Sequence, residues 1–150
     1  MGDPRKLKKK YKKPKVKHEK DRIFEEKKIL QKYGLKNKKE IWKAESKVSR
    51  IRNQAKRLLT ASEEEQKKFL ERLSEQGLIQ AKTVDDVLEL KTENILDRRL
   101  QTIVANKYRI TAKHARQAIV HGHVKVGGKK VNIPSYFVNL ASEKKVFYKK

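Results

Sequence analysis

The chain has 150 residues, which is enough for one domain or two small ones, and it carries 41 Lys and Arg residues against 18 acidic residues. A formal charge of +23 opposes compaction unless a polyanion neutralises it, so the composition predicts a nucleic-acid partner. The lack of cysteine excludes disulfides, thiolate nucleophiles and cysteine-ligated zinc. Since no apolar run reaches the roughly 20 residues of a membrane-spanning helix, and no signal peptide is recognisable, we expect a soluble, intracellular protein.

Charge is segregated along the chain. Residues 1–61 carry a net charge of +16, residues 62–97 carry −5, and residues 98–141 carry +9 without one acidic residue. A uniformly solubilised surface would not divide its charge in this way. The pattern predicts that the chain has two basic surfaces, separated by an acidic segment, and that both contact one polyanion.

The first 20 residues hold ten basic residues and two prolines. They cannot bury enough apolar surface to offset their ordering entropy, so we expect an extended basic arm that is disordered in isolation. An arm of this composition can bind a polyanion, or it can serve only as a solubilising or nuclear-targeting tail.

Residues 21–91 are predicted to form a helical domain. A short helix is expected over residues 21–34, with Asp21 as its N-cap and Gly34 at its end. Residues 37–59 show the clearest helical periodicity, with Asn37 as a candidate N-cap. The apolar stripe of this helix contains Ile41, Ala44, Val48, Ile51, Ala55 and Leu58.

The same helix carries basic residues away from its apolar stripe. A charged helix face is often only solvated, but it can also contact RNA. The candidate RNA-binding residues here are Lys43, Lys47, Arg50, Arg52, Lys56 and Arg57.

Two acidic helices are predicted next in the chain. Each begins with a capping-box pair, Ser62 with Glu65 and Thr83 with Asp86. Most of their carboxylates fall in the first turns, where the helix dipole favours negative charge. We therefore expect these helices to be scaffold without acid–base chemistry.

From residue 92 the sequence predicts a compact α+β module. A single helix is expected over residues 92–108, ending near Asn106, and a second begins at Thr111 and ends at Gly122. A hairpin is expected around Gly127 and Gly128, because tight turns require positive φ, and residues 144–150 can add a third strand. The inward residues of the first helix are predicted to be Ile95, Leu96, Leu100, Ile103 and Val104.

The fold class is therefore α+β: a mostly helical N-terminal half precedes a small module of two helices packed on a short antiparallel sheet. The expected boundaries are 1–20 for the arm, 21–91 for the helical domain, 92–141 for the module and 142–150 for a C-terminal strand or tail.

The second module helix has two distinct faces. Ala115, Ala118 and Ile119 point inward, and Arg116 lies near the boundary of the polar face. Such a polar face and the exposed helix N-terminus can hold phosphates and 2′-hydroxyls of structured RNA. The residues on that face are Lys113, His114, Gln117 and His121, and the hairpin adds Lys125, Lys129 and Lys130.

The histidines and Asp97 have plain interpretations. His114, His121 and His123 have neither i, i+4 spacing nor nearby acidic co-ligands, so zinc binding and histidine-based RNA cleavage are both disfavoured. Asp97 is the last acidic residue before the acid-free stretch. We predict that it orients an arginine of the neighbouring helix, such as Arg116, in a structural ion pair rather than acting as a catalyst.

Residues 96–138 resemble the RNA-binding module named after ribosomal protein four of the small subunit. The matching elements are "LDRRL", "ARQAIVHGHVKV", a glycine turn and "VNIPSY". That module also occurs in pseudouridine synthases, a tyrosyl-tRNA synthetase and a heat-shock protein. The rest of the chain is similar to the archaeal, and more distantly the eukaryotic, branch of the ribosomal protein family, through "MGDPRKLKKKYKKPK", "YGLKNKKEIWKAES" and "IRNQAKRLL".

This resemblance implies a non-enzymatic protein of the cytoplasmic ribosome that binds small-subunit ribosomal RNA directly and early in assembly. It also implies contacts with neighbouring small-subunit proteins and with messenger RNA where it enters the ribosome. No cofactor, membrane or homo-oligomer is expected. A metal is not expected either, because the N-terminal zinc-binding cysteines of some relatives are missing here. A free-standing RNA-binding translation or stress factor is the alternative.

The resemblance also places RNA-facing residues within the module. They are Arg109, Thr111, Lys113, Arg116, Gln117, His121, His123, Lys125, Ser135 and Tyr136. The turn departs from the family pattern, because Gly127-Gly128 stands where Asn-Gly is common, and this change preserves the turn.

Overall fold

A computed structural model of the chain describes residues 2, 9–81 and 83–149. The helices are α1 (Lys20–Tyr33), α2 (Lys38–Leu58), α3 (Glu63–Glu75), a 3₁₀ helix (Asp85–Glu89), α4 (Thr92–Asp97), α5 (Leu100–Tyr108), α6 (Ala112–Val120) and α7 (Leu140–Glu143), and the strands are β1 (Val124–Val126), β2 (Lys129–Lys130) and β3 (Val146–Tyr148). The predicted α+β class is confirmed. Within the described ranges, no helix has the length and apolar character needed to cross a bilayer.

Helix α1 ends as its sequence predicts but begins differently. Gly34 is the C-cap residue. It adopts the left-handed conformation, with φ of +57°, and its N–H points to carbonyls of the last helical turn. The helix starts at Lys20, so Asp21 lies in the first turn, and the prediction that Asp21 is the N-cap is wrong. Asp21 still complements the positive end of the helix dipole.

Helix α2 buries the predicted apolar stripe. Ile41, Ala44, Val48 and Ala55 are buried, and all but Ile41 belong to a core cluster that also includes residues from α3, the 3₁₀ helix and α4. The sequence period therefore located both the helix and its inner face. The N-cap of α2 is Asn37, as predicted.

The two predicted capping boxes differ. Thr83 and Asp86 bond reciprocally at the 3₁₀ helix: the Thr83 N–H donates to the Asp86 carboxylate at 3.0 Å, and the Asp86 N–H donates to the Thr83 hydroxyl at 3.4 Å. At α3 the Glu65 N–H donates to the Ser62 backbone carbonyl at 3.1 Å rather than to the Ser62 hydroxyl. Ser62 is the N-cap by position but without the side-chain bond.

The helix predicted over residues 92–108 is broken, and a single continuous helix was the wrong prediction. Arg99 has extended backbone, with ψ of 142°, between α4 and α5. The Val138 N–H donates to the Arg98 carbonyl at 2.9 Å, and the Leu100 N–H donates to the Tyr136 carbonyl at 2.8 Å. Arg99 and Phe137 form an antiparallel bridge. These long-range bonds replace helical ones at the break.

The module has its own core between two helices and a sheet. The predicted inward residues of α4 and α5 are all buried. Strand β1 pairs antiparallel with both β2 and β3, so the hairpin at Gly127 and Gly128 and the third strand are confirmed. The second core cluster contains Leu100, Ile103, Val104, Ala105, Ala115, Ile119, Val124, Val138 and Val146.

The described part of the arm lies against α2. Residues 9–19 form no regular helix or strand. The Tyr11 ring lies 6.0 Å from the Trp42 ring, between centroids, and the Lys12 N–H donates to the Ser46 hydroxyl at 3.1 Å. Residues 1 and 3–8 of the predicted arm lie outside the described residues.

Candidate nucleic-acid interface

A cleft of about 440 Å³ lies where α2, the α4–α5 break, α6 and residues 134–137 meet. Four of the predicted RNA-binding residues line it together: Lys43 and Lys47 from α2, Arg116 from α6, and Ser135. Residues from the helical half and from the module thus contribute to one cationic surface. The break between α4 and α5 creates this meeting point, because it turns the chain beside the segment that carries Ser135.

One carboxylate, Glu40, lies in the wall of the cleft between two arginines. The Arg99 guanidinium bonds to one Glu40 oxygen, and the Arg116 guanidinium lies 3.3 Å from the other. Burial alone would raise the pKa of Glu40, but the charges and hydrogen bonds of Arg99 and Arg116 outweigh it and lower the pKa. Glu40 is therefore a counter-ion that holds both arginines in place.

Arg116 is held on a second side by Gln101. The Arg116 guanidinium donates to the Gln101 side-chain oxygen at 3.3 Å. The Gln101 amide nitrogen in turn lies within 3.1 Å of the carbonyls of Tyr33, Gly34 and Ala112. Gln101 is almost completely buried, so it fixes α6 against the end of α1.

The predicted ion pair between Asp97 and Arg116 is wrong. The Asp97 carboxylate accepts a hydrogen bond from the Tyr33 hydroxyl at 2.8 Å, and Arg116 faces Glu40 instead. Asp97 is the last residue of α4, directly before the break. Burial and the bond to Asp97 together raise the pKa of Tyr33.

An aromatic ring lies against the ammonium group of Lys47. This group lies 3.5 Å from the centroid of the Phe137 ring, within the range of a cation–π contact. Burial lowers the pKa of Lys47, and the nearby Arg50 lowers it further. Of the lysines in the cleft, Lys43 is exposed, whereas Lys47 is partly covered.

The N-terminus of α6 has the predicted geometry. The Thr111 hydroxyl accepts a hydrogen bond from the His114 N–H at 3.3 Å, so the predicted cap is confirmed. Arg109, which ends α5, adopts the left-handed conformation with φ of +51°. Arg109, Thr111 and Lys113 are exposed. They form a second polar cluster at the start of α6, the helix that contributes Arg116 to the cleft.

The sheet presents a basic outer face. Lys125 lies directly opposite Lys130 on one side and Phe147 on the other. Like charges opposite each other destabilise a sheet, and a bound anion would relieve this repulsion. Phe147 is 62% exposed, and the Lys107 ammonium lies 5.9 Å from its ring. Lys129 is also exposed in β2.

Three predicted residues border a shallow pocket behind α6. Gln117, His121 and His123 line it together with His114, and β3 and the residue after it contribute Tyr148 and Lys149. The pocket volume is about 370 Å³. Across the described residues, no group of three His, Asp or Glu side chains has the arrangement of a metal site.

Other predicted residues lie away from the cleft. The Arg52 guanidinium donates to the Leu90 carbonyl at 2.8 Å, and Arg50 donates to the Ser46 carbonyl at 3.2 Å. Arg52 and Lys56 border a smaller pocket at the far part of α2, and Arg57 is exposed nearby. Tyr136 is 42% exposed and lies outside the cleft.

Sequence reasoning missed several residues of this interface. Lys39 and Arg99 line the cleft, and Phe147 lies in the outer face of the sheet. The alternation of "VFY" in a predicted strand could have placed Phe147 opposite the buried side. Arg99 could not have been found in this way, because the predicted continuous helix hid its turn toward Glu40.

The break, the α5–α6 pair and the hairpin define a protein that carries an S4 domain, and the S4 domain family matches residues 98–143. The full chain is similar to proteins named small ribosomal subunit protein uS4. That of Thermoplasma volcanium is 50% identical, over 99% of this chain and 78% of that protein. Those of Thermoplasma acidophilum and Methanococcus aeolicus are 48% and 45% identical, over 99% of this chain and 79% and 88% of those proteins. The chain belongs to the family of small ribosomal subunit protein uS4.

Proposed function

We propose that this chain is a non-enzymatic structural constituent of the small ribosomal subunit, located in the cytoplasm, and that it binds small-subunit ribosomal RNA directly. One observation carries the proposal. Cations from the helical half and from the module meet in a single cleft, and the carboxylate in its wall, Glu40, is already occupied by Arg99 and Arg116. The remaining positive charge is available to phosphates.

The mechanism is charge neutralisation combined with shape. Lys43 and Ser135 can contact backbone phosphates and 2′-hydroxyls, while Arg116 is held in one orientation by Glu40 and Gln101. The α6 N-terminus with Lys113 and the outer sheet face with Lys125 extend the contact surface. Recognition of this kind depends on RNA shape more than on base sequence.

We also propose that binding occurs early in assembly and that the protein helps to line the region where messenger RNA enters the ribosome, next to other small-subunit proteins. The cleft brings together cationic residues that are far apart in sequence, such as Lys43 and Arg116, which supports direct binding to bare RNA. The proposed parts are the arm 1–20, the helical domain 21–91, the module 92–141 and the C-terminal segment 142–150, with the cleft at the boundary of the middle two.

The RNA contact is tested with Lys43→Ala and a matched control, Lys68→Ala. Both lysines are exposed on helices, but Lys68 lies on acidic α3, away from the cleft. Affinity for a transcript of small-subunit ribosomal RNA is measured by filter binding at several salt concentrations. We expect Lys43→Ala to weaken binding and to reduce the salt slope by about 0.7 to 0.9, the value for one lost phosphate contact. Equal effects of the two variants would contradict a localised surface.

The ribosomal role is tested by co-sedimentation. A tagged chain should remain with small subunits after a high-salt wash, and it should also bind small-subunit RNA that carries no other protein. Recovery with stalled large subunits alone would instead indicate the free-standing factor. Crosslinking of the assembled subunit to messenger RNA tests the further contact.

A further inference from the structure

The pocket behind α6 concentrates imidazole groups. His114, His121 and His123 are three of the four histidines of the chain, and all three line it. The ring centroids of His121 and His123 are 6.5 Å apart, and the His114 ring nitrogen Nε2 lies 3.4 Å from the Tyr148 hydroxyl. Two rings at this separation can both donate to one phosphate, since each hydrogen bond spans about 3 Å.

The groups that face the imidazoles are neutral or positive. Lys113 lies beside His114 on the exposed side of α6, and β3 with the residue after it contributes Tyr148 and Lys149. From α5, which packs beneath, the Tyr108 hydroxyl accepts a hydrogen bond from the Tyr148 N–H at 3.0 Å. The described residues that line this pocket include no carboxylate. Among the described lining residues, nothing would therefore repel a bound anion through negative charge.

The position of the pocket along α6 makes protonation relevant. His121 is the C-cap of this helix and His123 follows it, so these two histidines lie at the negative end of the helix dipole, whereas His114 lies in the first turn. The negative end disfavours a bare phosphate unless positive charge compensates it. Lys149 supplies one positive charge in the pocket, and protonated imidazoles would supply more.

The walls of the pocket are held by backbone bonds. The Lys149 N–H donates to the His123 carbonyl at 2.9 Å, and the His123 N–H donates to the Ala118 carbonyl at 3.0 Å. The chain that carries the histidines is thus fixed to both α6 and β3. A site built on such a frame loses little conformational freedom when a ligand binds.

We propose that the pocket formed by His114, His121, His123 and Lys149 binds one RNA phosphate together with a proton, so that RNA binding strengthens as the pH falls. The proposal rests on the proposed RNA-binding function. The imidazole of histidine changes charge between pH 5 and 8 in ordinary surroundings, and a neighbouring phosphate favours its charged form. Binding then takes up a proton from solution, and acidification promotes binding by mass action.

The test measures affinity for a transcript of small-subunit ribosomal RNA at pH 5.5, 6.5 and 7.5 and at constant ionic strength. The variants are the triple substitution His114→Gln, His121→Gln, His123→Gln and the single substitution His18→Gln. Glutamine keeps hydrogen-bonding capacity but does not titrate. His18 is the matched control, because it is the remaining histidine and is exposed before α1.

We expect the unaltered chain to bind several-fold more tightly at pH 5.5 than at pH 7.5, because protonation of the imidazoles adds positive charge beside the phosphate as the pH falls. The triple variant should lose most of that change, whereas His18→Gln should keep it. Calorimetry at pH 6.5, in two buffers of different ionisation heat, should show proton uptake that the triple variant lacks.

Several outcomes would overturn the proposal. A triple variant with the same pH dependence as the unaltered chain would assign the effect to RNA bases or other groups. A triple variant weakened equally at every pH would make the histidines contacts without a proton. Affinity that is independent of pH in the unaltered chain would refute this inference alone, whereas the loss of RNA binding at every pH would refute the proposed function as well.

Discussion

Glu40 is the residue on which the cleft depends most. Its side chain is 17% exposed, the Arg99 side chain is 8% exposed, and the carboxylate separates two guanidinium groups that would otherwise repel each other. An ion pair of this kind adds little net stability over an apolar replacement, but removal of one partner leaves an uncompensated buried charge. Glu40 therefore acts mainly through the positions that it imposes on Arg99 and Arg116.

Substitution Glu40→Gln should lower the free energy of unfolding by about 3 kcal/mol, the lower end for loss of one partner of a buried pair, because Arg99 stays buried without a counter-ion while Glu40 is partly exposed. Urea denaturation measures the change. The control is Glu93→Gln, which removes an exposed ion pair with Lys32 and should cost less than about 1 kcal/mol. Equal costs for the two variants would show that the burial of the Glu40 pair has no energetic consequence.

The protein should lose stability in acid through the same residue. The pKa of Glu40 in the folded chain is below its usual 4.5, because the two arginines outweigh the effect of burial. Its contribution is therefore complete above about pH 4.5 and disappears as the pH falls through the lower folded value. Unfolding free energies of the unaltered chain and of Glu40→Gln, measured between pH 7 and pH 3, should converge in acid; a constant difference would contradict this explanation.

At the scale of the element, two helix N-termini with the same sequence pattern make different capping hydrogen bonds. The Thr111 hydroxyl caps α6, whereas at α3 the bond uses the backbone carbonyl of Ser62. Both residues fit the same sequence rule for helix starts. Only the structure distinguishes a cap with a side-chain hydrogen bond from a cap by position.

This difference predicts unequal effects for two similar substitutions. Thr111→Ala should destabilise the protein by about 1 kcal/mol, the usual value of a capping hydrogen bond, and Ser62→Ala should cost less. Urea denaturation with equal slopes for the two variants allows direct comparison. A larger effect at Ser62 than at Thr111 would reverse the structural assignment.

The junction of α1 and α6 offers a second comparison. Gly34 has φ of +57°, and a Cβ there would lie 2.8 Å from the Ala112 Cβ; Gly122 has φ of +76° with open space around it. Alanine at either position incurs the cost of a left-handed conformation, about 1 to 2 kcal/mol. Gly34→Ala adds a steric clash and should lower the melting temperature by several degrees more than Gly122→Ala. Equal melting temperatures would mean that α6 can shift without cost.

At the scale of the whole molecule, the sequence predicted what local periodicity controls. The stripe of α2, the Gly127-Gly128 turn and the cap at Thr111 all depend on residues within a few positions, and each is found. Segregated charge and the family pattern also predict an RNA interface, and this stays a prediction until RNA binding is measured.

What the sequence could not predict depends on contacts between distant segments. The helix broke at Arg98 and Arg99 because residues 136–138 supply backbone partners that no local pattern reveals. The Asp97 prediction failed because its partner, Tyr33, lies 64 positions earlier in the chain, where no local pattern indicates it. The pairing of Glu40 with Arg116 joins residues 76 positions apart.

The break also bears on the order of events during synthesis. The partners that open the helix at Arg98 lie about forty residues later, at Tyr136 and Val138. Until those residues leave the ribosome that makes them, residues 92–108 have only their local preference, which is helical throughout. The break between α4 and α5 can therefore form only after residues 136–138 have been made. Each newly made copy would acquire its cleft late, after most of its own chain has been translated.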